Sequence, residues 1–232
     1  ARPARWIGVM GNPRVEGPHI AALRALGVPD DEIARVHRPI GLDIGSTSIR
    51  AVEAGSGKDG PVLRHYAEVL LPPGAVQSGV VQDAKAVTAV VRQIRASAPF
   101  KTKRVVLGVT NMQAVVREMT VANLPPKDLR ASLPFQVRDL LPLPVERSVL
   151  DFLPLEDAGR AENVRGLLVA APKEPILAAV DAVERGGFTV VRVDLSSLAL
   201  LRAAARLDDL VEAIVDIGTQ ITTVVVHADG VP

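Results

Sequence analysis

Two short stretches, far apart in the chain, carry the same chemistry. The first is Asp43-Ile44-Gly45-Ser46-Thr47-Ser48, followed by the apolar run from Ile49. The second is Asp216-Ile217-Gly218-Thr219-Gln220-Ile221-Thr222-Thr223, followed by Val224-Val225-Val226. Each reads as an apolar strand, an Asp-x-Gly turn with hydroxyls beside it, and a returning strand. Such a turn suits a phosphate: backbone N–H groups converge around a glycine whose φ is free, and Ser and Thr hydroxyls add donors. The aspartate suits Mg²⁺ held through water, because that ion keeps most of its own shell. Two such hairpins facing each other would grip one nucleotide from both sides. The expected ligand contacts are Asp43, Gly45, Ser46, Thr47 and Ser48 in the first copy and Asp216, Gly218 and Thr219 in the second, with Asp43 and Asp216 as the Mg²⁺–water contacts. Gln220, Thr222 and Thr223 are weaker candidates, since threonine is ordinary strand material.

The elements that must position these turns are read from periodicity. Ile40–Ile44 and Ile49–Ala54 form the first hairpin, Gly55 to Gly60 a polar turn, and Val62–Leu71 a third strand. Pro72-Pro73-Gly74 breaks the chain. Gln82 to Ala98 is a helix with Val87, Val90, Val91 and Ile94 at helical spacing, and Val105–Thr110 is a core strand. Val115 to about Phe188 reads as a smaller α+β unit. It holds a strand over Val115–Val121, a helix from Pro126 through Leu141 with Leu129, Leu133, Val137 and Leu140 on one face, strands over Ser148–Leu153 and Val164–Ala171, a polar loop over 157–163, and a helix over Glu174–Gly186. Thr189–Val193 returns to the main sheet, Ser196 to about Leu207 is a helix, and Ala213–Ile217 with Thr222–His227 forms the second hairpin.

Composition narrows the function classes. The 232 residues are 48% apolar but only 3% aromatic, so aliphatic packing must build the core. A net charge of +1 gives no reason to expect nucleic acid as a partner. The absence of cysteine excludes disulfides, thiol catalysis and cysteine zinc sites, and suits a reducing cytosol. No apolar run approaches the roughly 18–20 residues that cross a bilayer, and no signal peptide opens the chain. Any membrane association is therefore expected through a partner. Gly55-Ser56-Gly57-Lys58 lacks the P-loop spacing, and His19, His37, His65 and His227 lack metal-ligand spacing.

The wording Gly41-Leu42-Asp43-Ile44-Gly45-Ser46-Thr47-Ser48-Ile49-Arg50-Ala51-Val52-Glu53, with its partner at 213–228, resembles the two phosphate motifs of the actin-like ATPase superfamily. Within it the chain is closest in wording to the PilM branch, the cytoplasmic proteins of type IV pilus assembly related to FtsA. Leu124-Pro125-Pro126-Lys127-Asp128-Leu129, Leu141-Pro142-Leu143-Pro144 and Glu184-Arg185-Gly186-Gly187-Phe188 fit that branch as well. The resemblance covers about residues 40–232. It implies an α/β fold of the ribonuclease H-like, actin-like type: the N-terminal lobe with an inserted α+β subdomain and the start of a second lobe. The implied segments are 40–111 and 191–212 for the first subdomain, 112–190 for the insertion, and 213–232 for the second lobe. It also implies ATP and Mg²⁺ as cofactors, held weakly because the lobe that supplies the adenosine-binding loop is not expected here, with slow or incidental turnover. The implied partner is the N-terminal peptide of a PilN-like inner-membrane protein, in the groove between the inserted subdomain and its neighbour, with the Leu129–Leu141 helix and the Val115–Val121 strand as candidate lining. That places the protein on the cytoplasmic side of the pilus inner-membrane complex, with no insertion into the membrane itself. An alternative is a peptide-binding module whose hairpins are purely structural.

Residues 1–39 read differently. Trp6–Gly11 is a short strand ending in glycine, Ile20–Leu26 a helix stopped by Gly27, and Pro29 to Val36 a second short helix with acids at its start. Trp6-Ile7-Gly8-Val9-Met10-Gly11-Asn12-Pro13-Arg14 and the run from Ala34 to Gly45 resemble the C-terminal Rossmann part of XdhC/CoxI proteins, which assist molybdenum-cofactor insertion. The loop Asn12-Pro13-Arg14 departs from that family's Ser-Arg-Arg. This gives a second functional alternative, a molybdenum-cofactor chaperone. The two resemblances share Gly41–Gly45 and no linker separates them. The expectation is a partial XdhC-like segment joined to a partial PilM-like one at a shared word.

Overall fold

The computed structural model describes residues 39–57, 60–155, 159, 161–206, 210–228 and 230–232. The strand and two helices expected within 1–38 lie outside the described residues, as does much of the polar loop at 157–163.

The main sheet starts from β1 (Ile40–Ile44), β2 (Ser48–Gly57) and β3 (Gly60–Leu70), an antiparallel meander. A two-stranded hairpin follows, β4 (Val76–Gln77) and β5 (Val80–Val81), then helix α1 (Ala84–Ser97). Strand β6 (Arg104–Val109) pairs in parallel with β1, and a later strand, β10 (Thr189–Leu195), pairs in parallel with β6. The resulting order is β10-β6-β1-β2-β3. Helix α1 begins one residue after its cap: the Asp83 carboxylate accepts hydrogen bonds from the N–H groups of Lys85 and Ala86, at 2.9 and 3.0 Å. That cap, worth roughly 1 kcal/mol, is why the helix starts at Ala84 and not at Gln82. Its apolar stripe of Val87, Val90, Val91 and Ile94 is buried against Ile40, Leu42, Ile49, Val105 and Leu107 of the sheet. Each such side chain contributes roughly 1.5–3 kcal/mol.

Between β6 and β10 lies the inserted region. Strands β7 (Val115–Ala122), β8 (Ser148–Pro154) and β9 (Asn163–Pro172) form an antiparallel sheet in the order β7-β9-β8. Helix α2 (Pro126–Gln136) covers it through Leu133, beside Val137, Phe152, Val164 and Leu168. Two expectations change here. The helix read as running to Leu141 stops at Gln136: Val137 leaves helical geometry at φ −111° and ψ 0°, and a single tighter turn over Arg138–Leu140 follows and leaves Leu140 exposed. Helix α3 (Lys173–Arg185), read with the inserted unit, instead buries Ile176, Ala179, Ala182 and Val183 in the core shared with α1 and the main sheet. The chain closes with α4 (Ser196–Ala204) and a separate two-stranded hairpin, β11 (Val211–Ile217) and β12 (Thr222–Ala228). No helix among the described residues is long and apolar enough to cross a membrane.

Candidate functional site

Strands β1, β6 and β10 run parallel, so their carboxyl ends meet at one edge of the main sheet. Ligands of open α/β sheets sit at that edge. It carries the Asp43–Gly45 turn, Thr110 after β6, and Ser196 after β10. The register places Asp43 beside Gly108 and Gly108 beside Asp194. In-register neighbours share a sheet face, so these three form a row opposite the buried Leu42, Leu107 and Val193. Glycine in the middle leaves room: a Cβ at Gly108 would lie 3.3 Å from Ser196 Oγ and 3.7 Å from Asp43 Oδ1.

The two Asp-x-Gly turns have the same backbone closure. The N–H of Gly45 donates to the Ser48 carbonyl at 3.0 Å, and the N–H of Gly218 donates to the Ile221 carbonyl at 3.0 Å. Neither glycine has a positive φ, which corrects the expectation that φ freedom is why glycine is needed. The reason is space. An added Cβ would lie 3.1 Å from the Ser48 oxygen in the first turn and 2.8 Å from the Ile221 oxygen in the second.

Both turns face one cleft of about 320 Å³, at the small end of the roughly 300–1,000 Å³ usual for ligand clefts. All eight expected contacts line it: Asp43, Gly45, Ser46, Thr47, Ser48, Asp216, Gly218 and Thr219. Their side chains are not equivalent. The hydroxyls of Ser46, Thr47 and Thr219 make no hydrogen bond to another described residue. The Ser48 hydroxyl donates its only proton to Glu68 Oε1 at 2.7 Å, and Ser48 is buried. It fixes the β2–β3 face and has no proton left for a ligand. Glu68 also accepts from Arg50 Nε at 2.9 Å and from the Tyr66 hydroxyl at 2.7 Å. The Tyr66 and Ser48 hydroxyls, with Arg50, hold its carboxyl below the usual range.

The electrostatics of the cleft centre on Asp43. Burial pushes its carboxyl above the ordinary range, Arg50 opposes this, and the charge of Asp216 across the cleft pushes the same way as burial. A carboxyl whose ionisation is opposed by burial and by a second carboxylate is what a nearby cation relieves. Among the described residues no three His, Asp or Glu side chains gather as a metal cage. The donor set therefore fits an ion that keeps its water, as Mg²⁺ does, and not one needing a full protein shell. The buried Ser196 Oγ has no hydrogen-bond partner among the described residues; it lines the cleft on the far side of Gly108 from Asp43.

Arg50, Gly79, Thr110 and Ser196 also line the cleft and were not singled out from the sequence. Thr110 and Ser196 carried a usable signal, a hydroxyl residue just after an apolar strand. Reading it requires knowing that those strands are parallel to β1.

The family model for type IV pilus assembly protein PilM matches residues 41–231, and the XdhC Rossmann domain model matches residues 1–52. The two overlap over 41–52, further than the five-residue word from which the sequence reading set their junction. Among solved structures the chain is similar to a chain of a PilM-PilN type IV pilus biogenesis complex, at 27% identity and a TM-score of 0.71, over 82% of this chain and 58% of that one. This chain thus spans little more than half the length of that relative. It also matches the cytoplasmic domain of EpsL, an inner-membrane component of the type II secretion system of Vibrio cholerae, at 14% identity and a TM-score of 0.49, over 81% of this chain and 70% of that one. The fold is α/β, of the actin-like ATPase type. With its match running from the first phosphate-type hairpin to the end of the second, the chain belongs to the family of type IV pilus assembly protein PilM.

Proposed function

We propose that this chain serves type IV pilus assembly as a nucleotide-responsive scaffold, with ATP and Mg²⁺ held in the cleft between its two hairpins. The observation that carries this is the convergence of both Asp-x-Gly turns on one cleft, from opposite sides. Ser46, Thr47 and Thr219 would donate to phosphate oxygens, and Asp43 with Asp216 would hold the water shell of Mg²⁺. Bound nucleotide would supply a compact run of negative charge, and Mg²⁺ the cation that offsets the burial of the Asp43 carboxyl. Arg50, tied to Glu68, keeps one positive charge beside Asp43, at 4.0 Å. Occupancy then favours one spacing of the two hairpins, a population shift that partners can read.

The partner we infer is an extended N-terminal segment of a PilN-like protein; the similar solved structure is of a PilM-PilN complex. Leu133 and Val137 fill the space between α2 and the inserted sheet, so the peptide would dock on another face of the inserted region. Among the described residues, strand β7 lies at the edge of its sheet and pairs only with β9. Its outer edge is the place where an extended peptide gains backbone hydrogen bonds.

The test is calorimetric titration of the whole chain with ATP and Mg²⁺, beside the Ser46→Ala/Thr219→Ala double variant. Loss of two donors to phosphate weakens binding by at least about tenfold. Equal affinity in both proteins, or no binding by the parent chain, overturns the phosphate assignment.

A further inference from the structure

One hydrogen bond joins the two walls of the cleft. The backbone N–H of Ser78 donates to Oε1 of Gln220 at 2.9 Å. Ser78 sits in the two-residue loop between β4 and β5, and Gln220 in the turn between β11 and β12. The loop's position is enforced. Ser78 has φ 47° and is the one non-glycine residue at positive φ among the described residues; Gly79 follows at φ 77°. Positive φ at both central positions is the type I′ pattern, where Asn-Gly is usual and serine sits less easily. Gly79 is pressed against the main sheet: a Cβ there would fall 1.9 Å from the Thr110 carbonyl oxygen. The loop is therefore anchored at the end of β6 and reaches from there to the second hairpin.

Pinning the amide oxygen also orients the rest of the group. With Oε1 on the Ser78 N–H, the two protons of the Gln220 NH₂ are left to donate elsewhere. Gln220, Gly79 and Thr110 all line the cleft. We propose that Gln220 is a further ligand-binding residue, oriented by the Ser78 N–H so that its NH₂ donates to an anionic phosphate seated between the two turns, and that this hydrogen bond latches the 78–79 loop to the second hairpin. The ligand half rests on the phosphate reading above; the latch half rests on the geometry alone. A bound phosphate that draws on the NH₂ tightens the Gln220 side chain on the Ser78 side as well, so occupancy and closure become one event.

Two variants separate the halves. Gln220→Met keeps the side chain's length and removes both the acceptor and the donors. Gln220→Glu keeps an acceptor for Ser78 and replaces the NH₂ with a carboxylate oxygen. Two readouts on the whole chain suffice: calorimetry with ATP and Mg²⁺, and hydrogen exchange of the Ser78 amide by NMR. Affinity is expected to fall about tenfold in Gln220→Met and further in Gln220→Glu. Exchange at Ser78 is expected to accelerate several-fold in Gln220→Met while Gln220→Glu keeps it slow. Unchanged affinity in both variants overturns the ligand role. Unchanged exchange in Gln220→Met overturns the latch. If the parent chain itself binds no ATP, the phosphate reading fails and takes the ligand role with it, while the exchange rates still decide the latch.

Discussion

The β1–β2 hairpin is built into a five-stranded sheet, with Ile40 and Ile49 wholly out of solvent; the β11–β12 hairpin is a two-stranded ribbon of its own, with Val211 and Ile217 more than three-quarters exposed. Yet both turns close through the same glycine N–H to the carbonyl three residues on. The turn is therefore a local device that needs no particular packing beneath it. What differs is how each copy is held. The first is held by aliphatic core. The second rests on α4, with Val225 buried, and is tied at its base by polar contacts: His227, fully buried, lies 3.0 Å from Glu212, which also accepts from the backbone and side chain of Arg206. A two-stranded ribbon is marginal by itself, so the cleft pairs a stiff wall with one whose local stability is low.

The largest expected contrast comes from truncating one apolar residue in each hairpin. Ile49→Ala opens a cavity in the main core and costs about 2–5 kcal/mol. Ile217→Ala, 80% exposed, changes stability by less than about 0.5 kcal/mol. Urea unfolding of both variants measures this directly, and equal losses would mean that the second hairpin is as firmly packed as the first.

A smaller effect is expected from His227→Ala. The Gly230 N–H donates to His227 Nδ1, so Nδ1 carries no proton, and Nε2–H donates to Glu212. Alanine removes both bonds at a buried site and costs about 1–3 kcal/mol. Hydrogen exchange should quicken over 211–228 and stay unchanged over β1, β6 and α1. Uniform quickening across the chain would instead place His227 in the global core.

The smallest effect, and the one that sharpens the electrostatic side, is Asp43→Asn without Mg²⁺. A carboxyl whose folded pKa is raised lowers stability as pH rises from its ordinary value through the raised one. Removing it should therefore stabilise the protein at pH 7 and do nothing below the ordinary value of 3.8. The side chain is about half exposed (46%), so solvent limits the gain to about one or two degrees in Tm. A Tm gain of the same size at pH 3 and pH 7 would show that burial and Asp216 do not act on this group.

Much of the fold was legible because the strands are short apolar runs between clear breaks, and the two hairpins announce themselves by repetition. The eight expected contacts converge for the same reason. What could not be read depends on pairing. The role of the Ser48 hydroxyl is decided by Glu68, which becomes its neighbour only through the β2–β3 register. Thr110 and Ser196 join the cleft only once β6 and β10 are known to lie parallel to β1. The β4–β5 hairpin was missed because its strands are two residues each, too short for alternation to show. The end of α2 was misread because Leu140 keeps the helical spacing although the backbone has already left helical geometry at Val137.

Strand β9 is the middle strand of the inserted sheet, and it passes straight into α3 at Pro172 with no intervening loop. Its last residues are shared property: Val169 packs with Leu195 and Leu198, and Ala171 joins the core of the main sheet. Hinges need a few residues free to change φ and ψ, and this junction offers a proline. A pull on the inserted sheet along β9 is thus delivered as tension to the α1–α3 interface, with no slack to take up first.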